Sequence, residues 1–151
     1  MKTNDAIKLL MTLRKTMMLI ARRVLIPIGK KYDLQPVDMR LIMTLAHHQH
    51  SSKLQLANAI GMDHSSMSRA LDRLIEKNYV QREIDTNDRR LIRISLTEQG
   101  RELHQQVFST ISKLWNKVCA DFSDQELKQS IHFMQTLAEN IANYTDENFL
   151  C

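Results

Sequence analysis

Apolar residues recur at spacings of three, four and seven through most of this chain, and the period changes once, near its middle. From Asn4 to about Lys31, Ile7, Leu10, Met17, Ile20, Val24 and Ile28 share one stripe, the pattern of an amphipathic helix. Thr3 or Asn4 suits its start, Pro27 is expected to bend it, and the Tyr32-Asp33 region ends it. Pro36 sits early in a second helix that turns Leu41, Ile42, Leu45 and Ala46 inward. Ser51 and Ser52 break that helix and cap a short third one, Leu54 to Ile60, which Gly61 closes. Asp63 or His64 opens a fourth, running to about Lys77, and Asn78 can take the left-handed conformation at its end. The period then falls to two. Val80-Gln81-Arg82-Glu83-Ile84 alternates, and after a polar tip, Asp85 to Arg90, Leu91, Arg93 and Ser95 alternate against Ile92, Ile94 and Leu96. Thr97-Glu98-Gln99-Gly100 restores the helical period, with Leu103, Val107, Ile111, Leu114 and Val118 on one stripe. A last helix begins at Ser123, which has the capping-box spacing to Glu126, and continues through Leu127, Ile131, Met134, Leu137, Ala138, Ile141 and Tyr144. The tail beyond Tyr144 is expected to fray.

These elements predict a mainly α fold with a small β-hairpin wing. A helix–turn–helix unit, residues 34–100, is flanked by long helices from both chain ends, residues 1–33 and 101–145, within a single domain spanning 1–151. Composition agrees: 3 Gly, 2 Pro and 5% aromatics among 151 residues leave little room for many turns. Long helices with wide apolar faces need more cover than a small central unit offers, which predicts dimerisation through those flanking helices. The formal charge of +4 favours a polyanionic partner only weakly. Cys119 and Cys151 are too few for a disulfide framework and fit a reducing cytoplasm; Cys119, spaced with Trp115 and Phe122, reads as a core thiol. No run of 18 apolar residues exists, so no transmembrane helix is expected, and the charged start is unlike a signal peptide.

The chemistry concentrates between Lys53 and Leu96. Small Ala57 allows two helices to cross closely and Gly61 permits the sharp turn between them. In the fourth helix Met67, Ala70, Leu71 and Leu74 share one face, leaving Ser65, Ser68, Arg69, Asp72 and Glu76 on the other. Short hydroxyls at the helix start suit entry into a major groove, Arg69 can reach a guanine edge, and Arg73 and Lys77 lie toward the phosphate flank. The hairpin tip brings two adjacent arginines. Together these features point to nucleic acid.

The run from Leu54 to Val80, followed by Arg82, Asp85, Asp88-Arg89-Arg90 and Ser95-Leu96-Thr97-Glu98-Gln99-Gly100, resembles the multiple-antibiotic-resistance regulator (MarR) family; Asn78 stands where the family usually has Gly. The resemblance implies a homodimeric winged helix–turn–helix transcriptional regulator, a repressor or activator, on a pseudo-palindromic double-stranded DNA operator. Its DNA-facing residues would be Lys53, Gln55, His64, Ser65, Ser66, Ser68, Arg69, Arg73, Lys77, Arg82, Asn87, Asp88, Arg89 and Arg90. Arg89 or Arg90 would enter the minor groove or meet its phosphates, and Asp88 would orient a wing arginine. The resemblance also implies release by a small aromatic or phenolic acid in a cleft with Lys15, Met18, Arg22, Pro36, Met43 and His47 as candidates, among nine adaptable methionines.

Two other readings were open on the residues. The cluster His47-His48-Gln49-His50, with His104 as a distant partner, suggests a metal-responsive regulator, but paired imidazoles on one helix usually stand four residues apart, and no metal or other cofactor is assigned. A winged helix can also serve protein or RNA. No Gly-rich phosphate loop, nucleophile elbow or zinc-hydrolase helix is present, so no enzymatic activity is expected.

Overall fold

The computed structural model describes residues 2–47, 52–84 and 92–144. Their elements run α1 (Lys2–Ile20), a π-helical turn (Ala21–Leu25), α2 (Ile26–Tyr32), α3 (Pro36–His47), α4 (Lys53–Ile60), α5 (His64–Glu76), β1 (Val80–Ile84), β2 (Ile92–Leu96), α6 (Glu98–Val118) and α7 (Asp124–Ala142). They fall into two compact units, residues 1–111 and 112–151.

The expected single N-terminal helix is interrupted one turn before Pro27. Proline has no N–H for the carbonyl four residues back, and its ring crowds that carbonyl; the wide π turn at Ala21–Leu25 accommodates both before α2 resumes. Asp33, left-handed at φ 52°, ends α2. The chain then folds back so tightly that Leu34 N donates to Gly29 O at 2.8 Å, and a Cβ on Gly29 would lie 2.6 Å from Leu34 O. The Tyr32 hydroxyl fixes this end of the arm to α6, donating to Gln106 O at 3.2 Å and lying 2.7 Å from the Thr110 hydroxyl.

Helices α3, α4 and α5 with the hairpin enclose the core. Leu41, Ile42, Leu45, Leu56, Met67, Leu71, Leu74, Val80, Ile94 and Val107 are fully buried within it. The local signals are physically satisfied. Ser52 and Gln55 complete a capping box at α4, and Gly61 ends that helix at φ 69°. Asn78, at φ 57°, makes the left-handed exit from α5. Strands β1 and β2 pair antiparallel with Val80 opposite Leu96 and Ile84 opposite Ile92. Thr97 seals the hairpin to α6: its hydroxyl donates to Asn78 O at 2.6 Å and accepts from Gly100 N at 3.0 Å.

The α6 stripe is buried at Leu103 and Val107, half-buried at Ile111 and Leu114, and exposed at Val118. No residue of α7 is buried, although the Ser123–Glu126 capping box is formed as expected. Cys119 corrects the sequence reading. It is half-buried rather than core, and Trp115 and Phe122 beside it in sequence are both exposed, because their helical spacing marks an apolar face that this chain itself leaves open.

Candidate nucleic-acid interface

The candidate reading face is on α5. Its buried side, Met67, Ala70, Leu71 and Leu74, is completely withdrawn from solvent, which fixes the rotation of the helix and presents His64, Ser65 and Arg69 outward. Asp63 sets the start. Its carboxylate accepts from Ser65 N at 3.0 Å, Ser66 N at 2.8 Å and the Ser65 hydroxyl at 2.7 Å. The Ser65 hydroxyl first, and then the Ser66 N–H, hold Asp63 far below the usual carboxylate range, so it stays ionised. The Ser65 proton is thereby committed, leaving its oxygen to accept from an incoming group. Sequence reasoning saw Asp63 only as a helix start; its spacing to Ser65 and Ser66 was the available signal for this role.

Several of the expected DNA-facing side chains are already partnered. Arg73 Nη2 donates to Asp38 Oδ1 at 2.7 Å, and the Asp38 side chain is 3% exposed. The other Asp38 oxygen accepts from Gln35 N at 3.0 Å, at the start of α3. Arg73 therefore ties α5 to α3, a partnership that charge and spacing alone could not supply. Lys77 Nζ meets both the carbonyl and a carboxylate oxygen of Asp33 at 2.6 Å. Arg82 Nη2 meets Asp72 Oδ1 at 2.7 Å, joining the wing to α5. Lys53 donates to the Ser68 hydroxyl, which itself donates to His64 O at 2.9 Å. The Gln55 carboxamide oxygen accepts from Ser52 N at 2.8 Å. Ser66 is half-buried at the helix start. Arg69 is exposed and has no ion-pair partner among the described residues. Asn87, Asp88, Arg89 and Arg90 lie outside the described residues.

A cavity of about 510 Å³ lies under α3, lined by Leu25, Pro36, Met39, Arg40, Met43, Thr44, Ala59, Ile60 and Ile111. It gathers Pro36 and Met43 of the six expected effector residues. Lys15, Met18, Arg22 and His47 are exposed and do not line it. Arg40 and Thr44 were missed, although Pro36, Arg40, Met43 and Thr44 follow helical spacing along one face of α3. His47 lies near His104, whose proton affinity is lowered by burial and secondarily by the His47 charge. His48 and His50 lie outside the described residues. Among the described residues no group of three or more His, Cys, Asp or Glu could hold a metal ion, and no helix is long and apolar enough to cross a membrane.

A helix–turn–helix leading directly into a two-stranded hairpin defines a winged helix–turn–helix protein. Residues 32–91 match the MarR family. A MarR transcriptional regulator from Methanosarcina mazei Go1 is 26% identical, with TM-score 0.72 over 86% of this chain and 98% of that one. A MarR family protein from Bacillus stearothermophilus has the same fold, with TM-score 0.83 at 20% identity over 95% of this chain and 99% of its own. The transcriptional regulator BldR from Sulfolobus solfataricus aligns with TM-score 0.74 at 23% identity, over 90% and 98% of the two chains. The matched segment is thus similar to the MarR family, and the fold is the one that solved MarR family proteins have.

Proposed function

We propose that this chain is a cytoplasmic, sequence-specific double-stranded DNA-binding transcriptional regulator that works as a homodimeric repressor. The observation that carries the reading is the α5 face: Arg69, Ser65 and His64 stand exposed on a helix whose opposite side is fully buried. In this role α5 enters the major groove, with Arg69 reading a guanine edge and the short hydroxyls permitting close approach. Lys53 and Gln55 sit toward the backbone, and the wing, through Arg89 or Arg90, reaches the adjacent minor groove. Two subunits meet half-sites of a pseudo-palindrome about one helical turn, roughly 34–36 Å, apart.

Dimerisation through residues 1–33 and 101–145 is supported by the exposed apolar residues that both segments carry. Ile7, Leu10 and Met17 on the first, and Ile131, Met134 and Ile141 on the second, are each roughly half exposed or more. Residues 34–100 are then the reading unit. The cavity beneath α3 supports release by a small aromatic acid. Its walls are mostly apolar, its volume suits a small organic molecule, and Arg40 supplies a cation for a carboxylate.

Selection of duplexes from a random library by the full chain, followed by anisotropy over a salt series, tests the proposal. Enrichment of an inverted repeat, bound tightly and with a steep salt dependence, is the expected result. No enrichment of any duplex overturns it. Adding phenolic acids to the bound complex then tests release, which Arg40→Ala should blunt.

A further inference from the structure

Hydrogen-bond polarity divides the outward side of α5 in a way that charge alone does not. Ser65, Arg69, Asp72 and Glu76 lie opposite the buried Met67, Ala70, Leu71 and Leu74, with His64 and Ser68 on one flank. A serine hydroxyl has one proton to give and two lone pairs to receive. Ser68 gives its proton to His64 O at 2.9 Å and receives from the Lys53 ammonium, so it is engaged within the protein in both senses. Ser65 differs. It gives its proton to Asp63 Oδ1 at 2.7 Å and receives nothing among the described residues, so it shows solvent an acceptor only. Arg69, one turn beyond it, shows only donors. Asp72 is engaged by Arg82 at 2.7 Å, and Glu76 stands at the opposite end of the helix.

Asp63 sharpens this polarity. Its Oδ1 takes all three bonds, from Ser65 N, the Ser65 hydroxyl and Ser66 N, while Oδ2 accepts none among the described residues. The same bonds keep the carboxyl ionised, so an anionic acceptor stands beside the Ser65 oxygen. Two of the N–H groups that a helix start can offer to phosphate are thereby taken, and a phosphate would also meet that charge. This part of the face repels the backbone of DNA. Of the base edges in the major groove, guanine N7 and O6 and thymine O4 are acceptors, which meet other acceptors badly. Cytosine N4 and adenine N6 are the amino groups that present protons there. Adenine sets N7, a further acceptor, beside its amino group, and cytosine does not.

We infer that Ser65, its proton held by Asp63, reads a base bearing an exocyclic amino group in each half-site, cytosine before adenine, while Arg69 reads guanine one turn further along α5. Ser65 touches the base and Asp63 positions it. The inference rests on the DNA-binding reading and deepens it by naming the chemistry of the base that this end of the face accepts.

The test uses the duplex enriched by the full wild-type chain. Each cytosine of one half-site is replaced in turn by 2-pyrimidinone and each adenine by purine, which delete only the amino group. Wild type, Ser65→Ala, Ser65→Thr and Asp63→Asn are compared by anisotropy, each with its thermal midpoint. At one position the wild type is expected to lose about fivefold in affinity, the worth of one hydrogen bond. Ser65→Thr should lose the same there and Ser65→Ala nothing. Asp63→Asn keeps the helix cap, since Asn caps as well as Asp, but can turn an amide donor outward. It should shift preference at that base pair toward guanine or thymine, and it decides alone if Ser65→Ala lowers the midpoint. A wild type that tolerates every replacement overturns the inference while leaving the regulator reading intact. So does a Ser65→Ala variant that loses as much as wild type at every position, or one weakened equally on all duplexes. An Asp63→Asn variant with the wild-type preference overturns the part given to Asp63. A wild-type chain that enriches no duplex overturns both readings together.

Discussion

Arg69 combines length, charge and exposure with freedom from any ion-pair partner among the described residues, which sets it apart from Arg73, Lys77 and Arg82. A bidentate contact to guanine discriminates by about 1–3 kcal/mol. Arg69→Ala is therefore expected to relax preference at one base position per half-site while leaving the others unchanged, as measured by binding to a panel of single-base operator variants. Loss spread evenly over all sequences would assign Arg69 to phosphate instead. His104 offers a second test at this scale. Burial, and then the His47 charge, lower its proton affinity below the ordinary value of 6.5, and its ring stacks on Phe108 with centroids 5.9 Å apart. A histidine whose folded pKa is depressed takes up its proton more readily when unfolded. Its contribution to stability is thus full above about pH 6.5 and is lost as pH falls toward the folded value. His104→Gln should make urea stability less sensitive to acidification over that window than in wild type; an identical pH profile would show that another group governs it.

At the scale of elements, the two glycines that bracket the reading unit make opposite demands. Gly61 sits at φ 69° with open space around it, so Gly61→Ala costs only the strained backbone, about 1 kcal/mol. Gly100 has ordinary helical geometry, but a Cβ there would lie 1.9 Å from Tyr79 O and 2.9 Å from its carbonyl carbon. Backbone cannot swing aside as a side chain does, so Gly100→Ala must pry α6 from the entry to β1. It is expected to cost about 3 kcal/mol, read from urea midpoints of the two variants. Equal small losses would mean that the α6 start shifts freely. The same pair shows what was legible in the sequence. Gly61, Ser52, Asn78 and the Ser123–Glu126 box act through neighbours close in sequence, and each was readable from spacing. The close approach of Gly100 to Tyr79, the Arg73–Asp38 pair and the π turn before Pro27 depend on which distant groups the fold brings together, or on how a local clash is relieved. Patterns of three, four and two do not carry that information. The alternation likewise placed both strands but not the burial along them: Ser95 is buried and Ile92 exposed, because the hairpin outruns the core it packs on.

The whole molecule has an imbalance that a single copy leaves unresolved. The winged unit buries most of its apolar residues, with Leu54, Ile84 and Ile92 left exposed, whereas α7 buries none, and Ile131, Phe133, Met134 and Ile141 are between 48% and 67% exposed. Burying an apolar side chain of this size is worth about 1.5–3 kcal/mol, so several left open on one helix represent a substantial driving force toward association. A carboxylate at the centre of such an interface would be desolvated without a partner, which costs more than the contact it replaces. Because Ile131 is 57% exposed, an aspartate there is solvated in the isolated chain and should leave the helix–turn–helix intact. Ile131→Asp is therefore expected to convert a dimer into a monomer in sedimentation while preserving the circular dichroism of the helices. It should also reduce affinity for a two-half-site operator much more than for an isolated half-site, since only the dimer holds two reading helices at once. A monomeric wild type would remove the premise. A variant that stays dimeric would place the interface elsewhere on the chain, with the exposed, basic face of α1 the next surface to substitute.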